Sequence, residues 1–381
     1  MSELNASNLR KEHGNEGPDL VGVTELTSPY FMVPPSGTTE ERPQNPQKGT
    51  LRFNTDIGSL EYFKGDALGW EGIVKTTPNL NGGARGLAMG GRSTPDATCE
   101  VIQYITISTL SNSIDFGDLG TGIGANVGCA SRTRAISAGG STSPALVNTM
   151  EYVTIASTGN GTDFGDQSVA RANLGAAANQ IRGIMAGGAA PSGDSDVIDY
   201  ITIAQTGNAV DFGNLSNSVE DDGGGIASPT RAIFYGGQSP AINVIEYITI
   251  MTTGNATDFG DLNDTNIRKQ GGSNATRGLI AGGNAPTSEK LIEYLTIATL
   301  GNTVKFGELT VARSDVGVVT DPTRAVIMGG YVGPAYFNVM DYVQIASTGD
   351  AVDFGDLTTA GATDGKVSPN GNASSNAHGG L

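Results

Sequence analysis

One pattern recurs six times in this chain and restricts its fold more than any other feature. An Arg is followed five and six residues later by a Gly pair at Arg85, Arg134, Arg182, Arg231, Arg277 and Arg324. Each copy then carries a Tyr, at Tyr104, Tyr152, Tyr200, Tyr247, Tyr294 and Tyr342. A Phe-Gly pair follows, 12 residues beyond the Tyr in every copy, at Phe116, Phe164, Phe212, Phe259, Phe306 and Phe354. The distance from the Phe to the next Arg is 18 or 19 residues, and only the stretch from the second Gly to the Tyr varies, from 10 to 13. A period of 46 to 49 residues, rigid except in one loop, marks a propeller or solenoid array whose copies bury their apolar faces against each other.

Within a copy the pattern predicts strands and nothing helical. The segment Arg324–Met328 is short, apolar and β-branched, and a Gly pair ends it. The stretch around Tyr342 is a second strand, with Val244–Ile250 as the cleanest form in the fourth copy. Ser-Thr-Gly-Asp or Thr-Thr-Gly-Asn makes a turn, and Ala-Val-Asp-Phe-Gly-Asp-Leu is a third strand. The Gly- and Ala-rich linker before the next Arg supplies a fourth, so each copy reads as a four-stranded meander. The Tyr strand is apolar on both faces, which requires cover on both. Small residues such as Ala176, Ala177 and Ala178 suit the crowded strands near a propeller axis. The rival architecture, a linear β-solenoid, usually has shorter rungs.

Bulk properties narrow the function classes. Glycine, 56 of 381 residues, is about twice its usual share and fits many tight turns. A net charge of −17 argues against nucleic-acid binding, which needs a basic footprint. Cys99 and Cys129 occupy non-equivalent points of the repeat, so both are expected as free thiols of a chain assembled in a reducing cytosol. His13 and His378 lie in polar terminal stretches, which argues against His-based zinc or triad chemistry. No apolar run reaches the ~18 residues of a membrane span, so no membrane insertion is expected. The first residues lack the apolar core of a secretory signal.

Residues 1–28 are polar and read as an extended arm. Residues 29–77 read as a small β module: Leu51 and Phe53, then Leu60 and Tyr62, alternate with polar residues around Asp-Ile-Gly, giving a hairpin followed by a strand at Trp70. One Trp and about 45 residues make a thin core, so the module is expected to need neighbours or oligomerisation. The string from Pro43 to Ile73 resembles a short module of tailed-phage fibre and other virion proteins. Arg52, Phe53, Asn54, Thr55, Asp56, Gly58, Glu61, Gly65 and Trp70 stand in the matching places. The resemblance covers about 30 residues and implies a virion-attachment role, with kin that act as trimers.

Residues 78–381 are the array. Its small-residue strand, its apolar strand ending in Gly-Gly and its Tyr strand resemble kelch repeats. Kelch units place a Trp about six residues after the Tyr, whereas here a Phe comes after 12. The repeat is more similar still to Tyr-Ile-Thr-Ile-Ala-Ser-Thr-Gly-Asn repeats in structural proteins of phages that infect cyanobacteria, which often end in a tail like Asn376–Leu381. The expected fold is therefore all-β: a six-bladed kelch-like β-propeller preceded by the small module and arm. The first copy lacks a good strand before Arg85, so the chain end is expected to supply one from around Ala362–Ser368. Aligning Gly379-Gly380 with the repeated Gly pair puts Ser374 where an Arg would stand.

The candidate chemical motifs have structural readings. Asp-Phe-Gly looks like the kinase magnesium motif but recurs without its partner motifs, and the fifth copy has Lys305 in place of the Asp. Asp115, Asp163, Asp211, Asp258 and Asp353 are expected to accept turn amides. The acidic residue before the Tyr needs a partner if buried. The repeated Arg is the candidate, giving the pairs Arg134 with Glu151, Arg182 with Asp199, Arg231 with Glu246, Arg277 with Glu293 and Arg324 with Asp341. A sialidase-like Asp-box fails on its Ser and Trp, and no copy breaks the repeat as a glycosidase site would. Variation concentrates in the loops between the Gly pair and the Tyr, where binding on a rigid scaffold usually sits. Tyr331, Tyr336 and Phe337 form the one aromatic-rich loop, able to stack on a sugar or dock on a protein.

Together these readings predict a non-enzymatic virion structural protein with no catalytic residues, metal or cofactor. The arm would join other virion proteins, the chain would form a homotrimer, and the loops would contact a host-surface glycan or protein. A tail-fibre or appendage component leads. A capsid or neck decoration protein and a glycan-cleaving propeller enzyme are the alternatives.

Overall fold

The computed structural model describes residues 34–381 apart from 57–58, 68, 73–83, 94–96, 220–224, 239–240, 266, 285, 359–366 and 370–371. The expected arm, 1–28, lies outside the described residues. The chain divides into two compact units, Met1–Thr77 and Pro78–Leu381. The described residues are all-β, arranged mostly in four-stranded sheets.

In the first unit, Leu51–Asn54 pairs antiparallel with Ser59–Phe63, which pairs with Trp70–Gly72, as the alternation implies. Ser36–Gly37 adds a parallel edge strand. Many of the residues behind the virion-module resemblance meet in one polar knot. Glu61 is fully buried and takes two hydrogen bonds from Arg42 (3.2 and 2.6 Å) and one from Asn54 (3.1 Å), with Arg52 at 3.6 Å. Hydrogen bonding from Arg42 leads in holding the Glu61 carboxyl below its usual range. Asp56 accepts the Thr39 amide at 2.8 Å, and Arg52 donates to the Thr38 carbonyl at 2.9 Å. Trp70 lies 5.5 Å from the Phe63 ring, and the Arg42 and Arg52 guanidinium groups each lie 5.9 Å from the Trp70 ring. A buried carboxylate hydrogen-bonded by Arg42 and Asn54, with the Arg52 charge beside it, replaces part of the apolar core this short segment lacks.

In the second unit each sheet runs linker strand, Arg strand, Tyr strand, Phe strand, all antiparallel. In the sixth copy these are Gly317–Thr320, Arg324–Met328, Val339–Gln344 and Val352–Asp356. In every Arg strand the Arg is half-buried and the next four residues are buried. The strand ends because Gly329 and Gly330 take φ of 63° and 123°, a region closed to most side chains. The Phe of Phe-Gly is the extra residue of a β-bulge: Met150 faces Gly165 and Glu151 faces Asp163, so Phe164 has no partner. The bulge turns the ring inward, where Phe164 is only 2% exposed. The ring meets Tyr152 edge to face at 6.1 Å, and the other five copies repeat that contact at 5.9 to 6.1 Å.

The core is shared between copies. One apolar cluster joins Leu87, Ile102 and Phe116 of the first copy to Ala135, Val153 and Ile155 of the second. Four more clusters join copies two to three, three to four, four to five and five to six. A sixth joins Val326, Met340 and Phe354 of the last copy to Ala88, Ile105 and Ile107 of the first.

The first sheet takes its linker strand from the chain end, but not from the expected stretch. Ala373–Ser375 pairs antiparallel with Arg85–Met89, with Ser374 opposite Leu87. Of the expected segment, 362–366 lies outside the described residues, and Val367–Ser368 pairs with Arg92–Ser93 instead. Ser374 is the counterpart of Cys129, which faces Ile136 in the second sheet, and not of an Arg. Asn376 completes the match. It accepts the Arg85 amide at 2.8 Å, as Asn179 accepts that of Arg182 (2.8 Å) and Asn274 that of Arg277 (2.8 Å). Without this strand the Arg85–Met89 edge and apolar residues such as Ala88 lose their cover. Deleting residues 372–381 is expected to cost several kcal/mol, on the scale of a few buried apolar side chains. The outcome to measure is a sharp fall in melting temperature with aggregation. A deletion that melts like the full chain would contradict it.

Candidate functional site

The repeated residues act at the junctions between copies. Each Arg guanidinium lies over the Tyr ring of its own copy, with Cζ 4.3 to 4.7 Å from the ring centroid. One Nη then donates to a carbonyl of the next copy. Arg85 reaches Ile155 at 2.8 Å, Arg134 Ile203 at 3.2 Å, Arg182 Ile250 at 3.0 Å, Arg231 Ile297 at 2.7 Å and Arg277 Ile345 at 2.8 Å. Arg324 of the last copy reaches Ile107 of the first at 2.9 Å. The planar guanidinium serves both partners at once, which an ammonium does less well.

The expected Arg–acid pairs do not form. Arg134 faces Thr154 and Glu151 faces Ser137, so Arg and acid sit an odd number of register steps apart and project to opposite faces. The Tyr, one residue on, shares the face of the Arg. The acid instead reaches back to the preceding copy, where it accepts the amide four residues after the Phe. Glu151 accepts that of Gly120 (2.9 Å), Glu246 Ser216 (3.0 Å), Glu293 Asn263 (3.1 Å), Asp199 Ser168 (3.4 Å) and Asp341 Thr310 (3.1 Å). In the first copy Gln103 accepts the Thr358 amide of the sixth at 2.8 Å. In three copies a buried cation joins: Arg171 with Asp199 (2.7 Å), Lys269 with Glu293 (2.5 Å) and Arg313 with Asp341 (3.0 Å). Burial, opposed by Asp341, pushes the Arg313 guanidinium below its ordinary value. Sequence reasoning missed these cations because they fall at unequal distances after the Phe. Their one signal was a charge inside a Gly- and Ala-rich stretch.

The Phe strand is the open edge of each sheet, and the next copy covers it. Asp166 donates its amide to Asn208 Oδ1 (3.1 Å) and takes the Ala209 amide on its carbonyl (2.8 Å). Asp118 with Asn160 and Gly161 repeats the arrangement, and Asp356 of the last copy meets Asn112 and Ser113 of the first. The turn residue Asn thus satisfies a Phe-strand amide of the preceding copy, and the turn's own Gly159 amide goes to the Phe116 carbonyl. Asp115, Asp163, Asp211, Asp258 and Asp353 are exposed.

The linker strands of all six copies surround a cavity of about 50 Å³, room for a water or two. The chain end lies across it. His378 Nε2 meets the Ala130 carbonyl at 2.7 Å, and the Gly379 amide donates to Ser273 at 2.7 Å. A Cβ on Gly379 or Gly380 would overlap the Asn274 or Ala178 carbonyl, so this tail needs both glycines. Burial, opposed by the Ala130 contact, pushes His378 down from 6.5 to about 4. Cys99 and Cys129 are both free thiols, and burial pushes Cys129 up to about 12, which keeps it unreactive.

Among the loop residues, Tyr331–Val332 and Ala335–Tyr336 form a two-residue hairpin with the Tyr rings 4.9 Å apart. Tyr336 is buried, and Tyr331 and Phe337 are half-buried. The structure therefore brings Tyr331 and Tyr336 together across the hairpin, and Phe337 follows with its amide on the Gly330 carbonyl. Among the described residues no group of three or more His, Cys, Asp or Glu is placed to hold a metal ion. Compared with known proteins, the chain matches no family model and no curated protein.

Arg231→Ala should cost about 2–4 kcal/mol, combining a cation–π contact with a charged hydrogen bond. A double-mutant cycle should find coupling of Arg231 to Tyr247 and none to Glu246. Asp199→Ala, which takes the carboxylate away from the fully buried Arg171, should cost about 3–5 kcal/mol in chemical denaturation. Because His378 has a folded pKa below its unfolded one, the unfolded chain binds the extra proton. Its contribution is present above pH 6.5 and is lost as pH falls towards about 4. His378→Gln should remove that component from a plot of melting temperature against pH.

Proposed function

We propose that residues 78–381 form a closed six-bladed, kelch-like propeller, and that the chain is a non-enzymatic structural protein of a tailed-phage virion, assembled in the host cytoplasm. The observation that carries the ring is the junction between the sixth and first copies, which uses the contacts of the other five: Arg324 to Ile107, Thr358 to Gln103 and Asp356 to Asn112. In this reading the repeated residues lock blades together, and the loops between the Gly pair and the Tyr are left to vary. The leading role is a tail-fibre or appendage component whose loops, including Tyr331, Tyr336 and Phe337, meet a host-surface glycan or another protein. The residues shared with the virion module support an attachment role for 29–77, since they build the Glu61 knot of a sheet with little apolar core.

Mass spectrometry of purified particles of the encoding phage, with antibody labelling, tests this reading. The chain should be present and labelled on the tail. Labelling of capsid or neck would favour a decoration role, and absence from particles would overturn the proposal. Release of sugar from host polysaccharide by the purified protein would point to an enzyme instead. Light scattering should find the full chain trimeric and a chain beginning at Asn79 monomeric. A trimer from the shorter chain would move the interface into the array.

A further inference from the structure

Two junctions, after the first and after the third copy, carry an acid but no buried cation among the described residues. Arg171 and Arg313, seven residues after their Phe, supply a buried cation to the acid of the next copy; Ile123 stands at that place after Phe116. The Phe strand of the first copy runs for ten residues, Ile114–Ile123, as does that of the third, Val210–Val219, against five in the second, so the segment that delivers a cation elsewhere is held in the hairpin. Glu151 keeps the Gly120 amide, and among the described residues no cation pairs with it.

Two more changes open space beside it. Ser137 takes the place filled by Met185, Phe234, Ile280 and Ile327 in later copies. Gly161 stands where other copies carry Ser113, Ala209, Ala256, Thr303 or Ala351, and a Cβ there would overlap the Glu151 carboxylate. The result is a cavity of about 360 Å³, within the range of small-molecule sites. The corresponding space beside Glu246, where Phe234 lines the wall, is about 10 Å³.

We propose that this cavity binds a small organic cation, a guanidinium or primary ammonium on a short aliphatic stem. The protein's own junctions supply the template. In the next junction Arg171 bonds Asp199 (2.7 Å) and the Val197 carbonyl (2.7 Å). The counterparts of those two residues here are Glu151 and Thr149, and both line the cavity. Asp163 adds a second carboxylate at the wall, and Leu119, Ile123 and Val147 offer apolar surface for the stem. A carboxylate flanked by apolar surface favours a cation with an alkyl body over an inorganic ion or a neutral alcohol.

Isothermal titration of the full chain with agmatine and with butylammonium tests the site, with 1-butanol as the neutral control. Saturable binding with a Kd on the order of 1 mM or tighter is expected for at least one cation, and none for butanol. Glu151→Gln should weaken binding at least about tenfold, the cost of one lost charged contact. Ser137→Met, the residue of the third copy, should abolish binding by filling the space. Ile123→Arg should abolish it by supplying the cation from within, and should raise the melting temperature. Absence of binding by the unaltered chain, or binding that survives Glu151→Gln and whichever cavity-filling variant folds, would overturn the proposal.

Discussion

The Arg guanidinium that lies on its own Tyr and bonds the next copy's Ile carbonyl is the contact on which the array depends. A sheet of four short strands has two apolar faces and two open edges, and none of these copies could hide them alone. The Arg makes the junction directional, since its stacking surface belongs to one copy and its acceptor to the following one. The bulged Phe packs beside the same Tyr, and the Phe strand's exposed amide and carbonyl are met by the turn of the following copy. The edge, the face and the register of each sheet are therefore fixed by its neighbour.

This arrangement explains why some residues recur and others drift. The Arg and the Phe each have two obligations: the Arg lies on its own Tyr and bonds the next copy, and the Phe ring packs on that Tyr while its carbonyl takes an amide of the next copy's turn. The acid before the Tyr has one steady obligation, a single backbone amide of the preceding copy, which Gln103 also fulfils. The buried cations are additions to that contact in three copies, and the junction that lacks one after the first copy has become a cavity.

Much of the fold was legible from residue spacing. The constant interval from Tyr to Phe, the Gly pair and the short β-branched Arg segment located three strands per copy, and the linker supplied the fourth. The Arg–acid pairing was misread because the face each residue takes depends on the strand register, Arg134 opposite Thr154 and Arg277 opposite Thr296, which the variable loop between the two strands hides. The chain end was misplaced for a related reason. The alignment followed Gly379-Gly380, whose glycines serve close approach of the tail to carbonyls. Ser375-Asn376-Ala377, which repeats Ser273-Asn274-Ala275 before Arg277, marks the linker strand and its turn. The cavity was not legible, because it comes from an absent cation and small side chains on strands far apart in sequence.

The chain end takes the place of a linker strand, Ala373–Ser375 pairing with Arg85–Met89 as Val127–Ala130 pairs with Arg134–Ala138. Native-state hydrogen exchange on the full-length protein measures this directly. The amides of residues 373–376 should exchange as slowly as those of residues 128–131 and 271–274, at the free energy of global unfolding. Exchange of 373–376 at the rate of a fraying terminus, while the other linker strands stay protected, would contradict it.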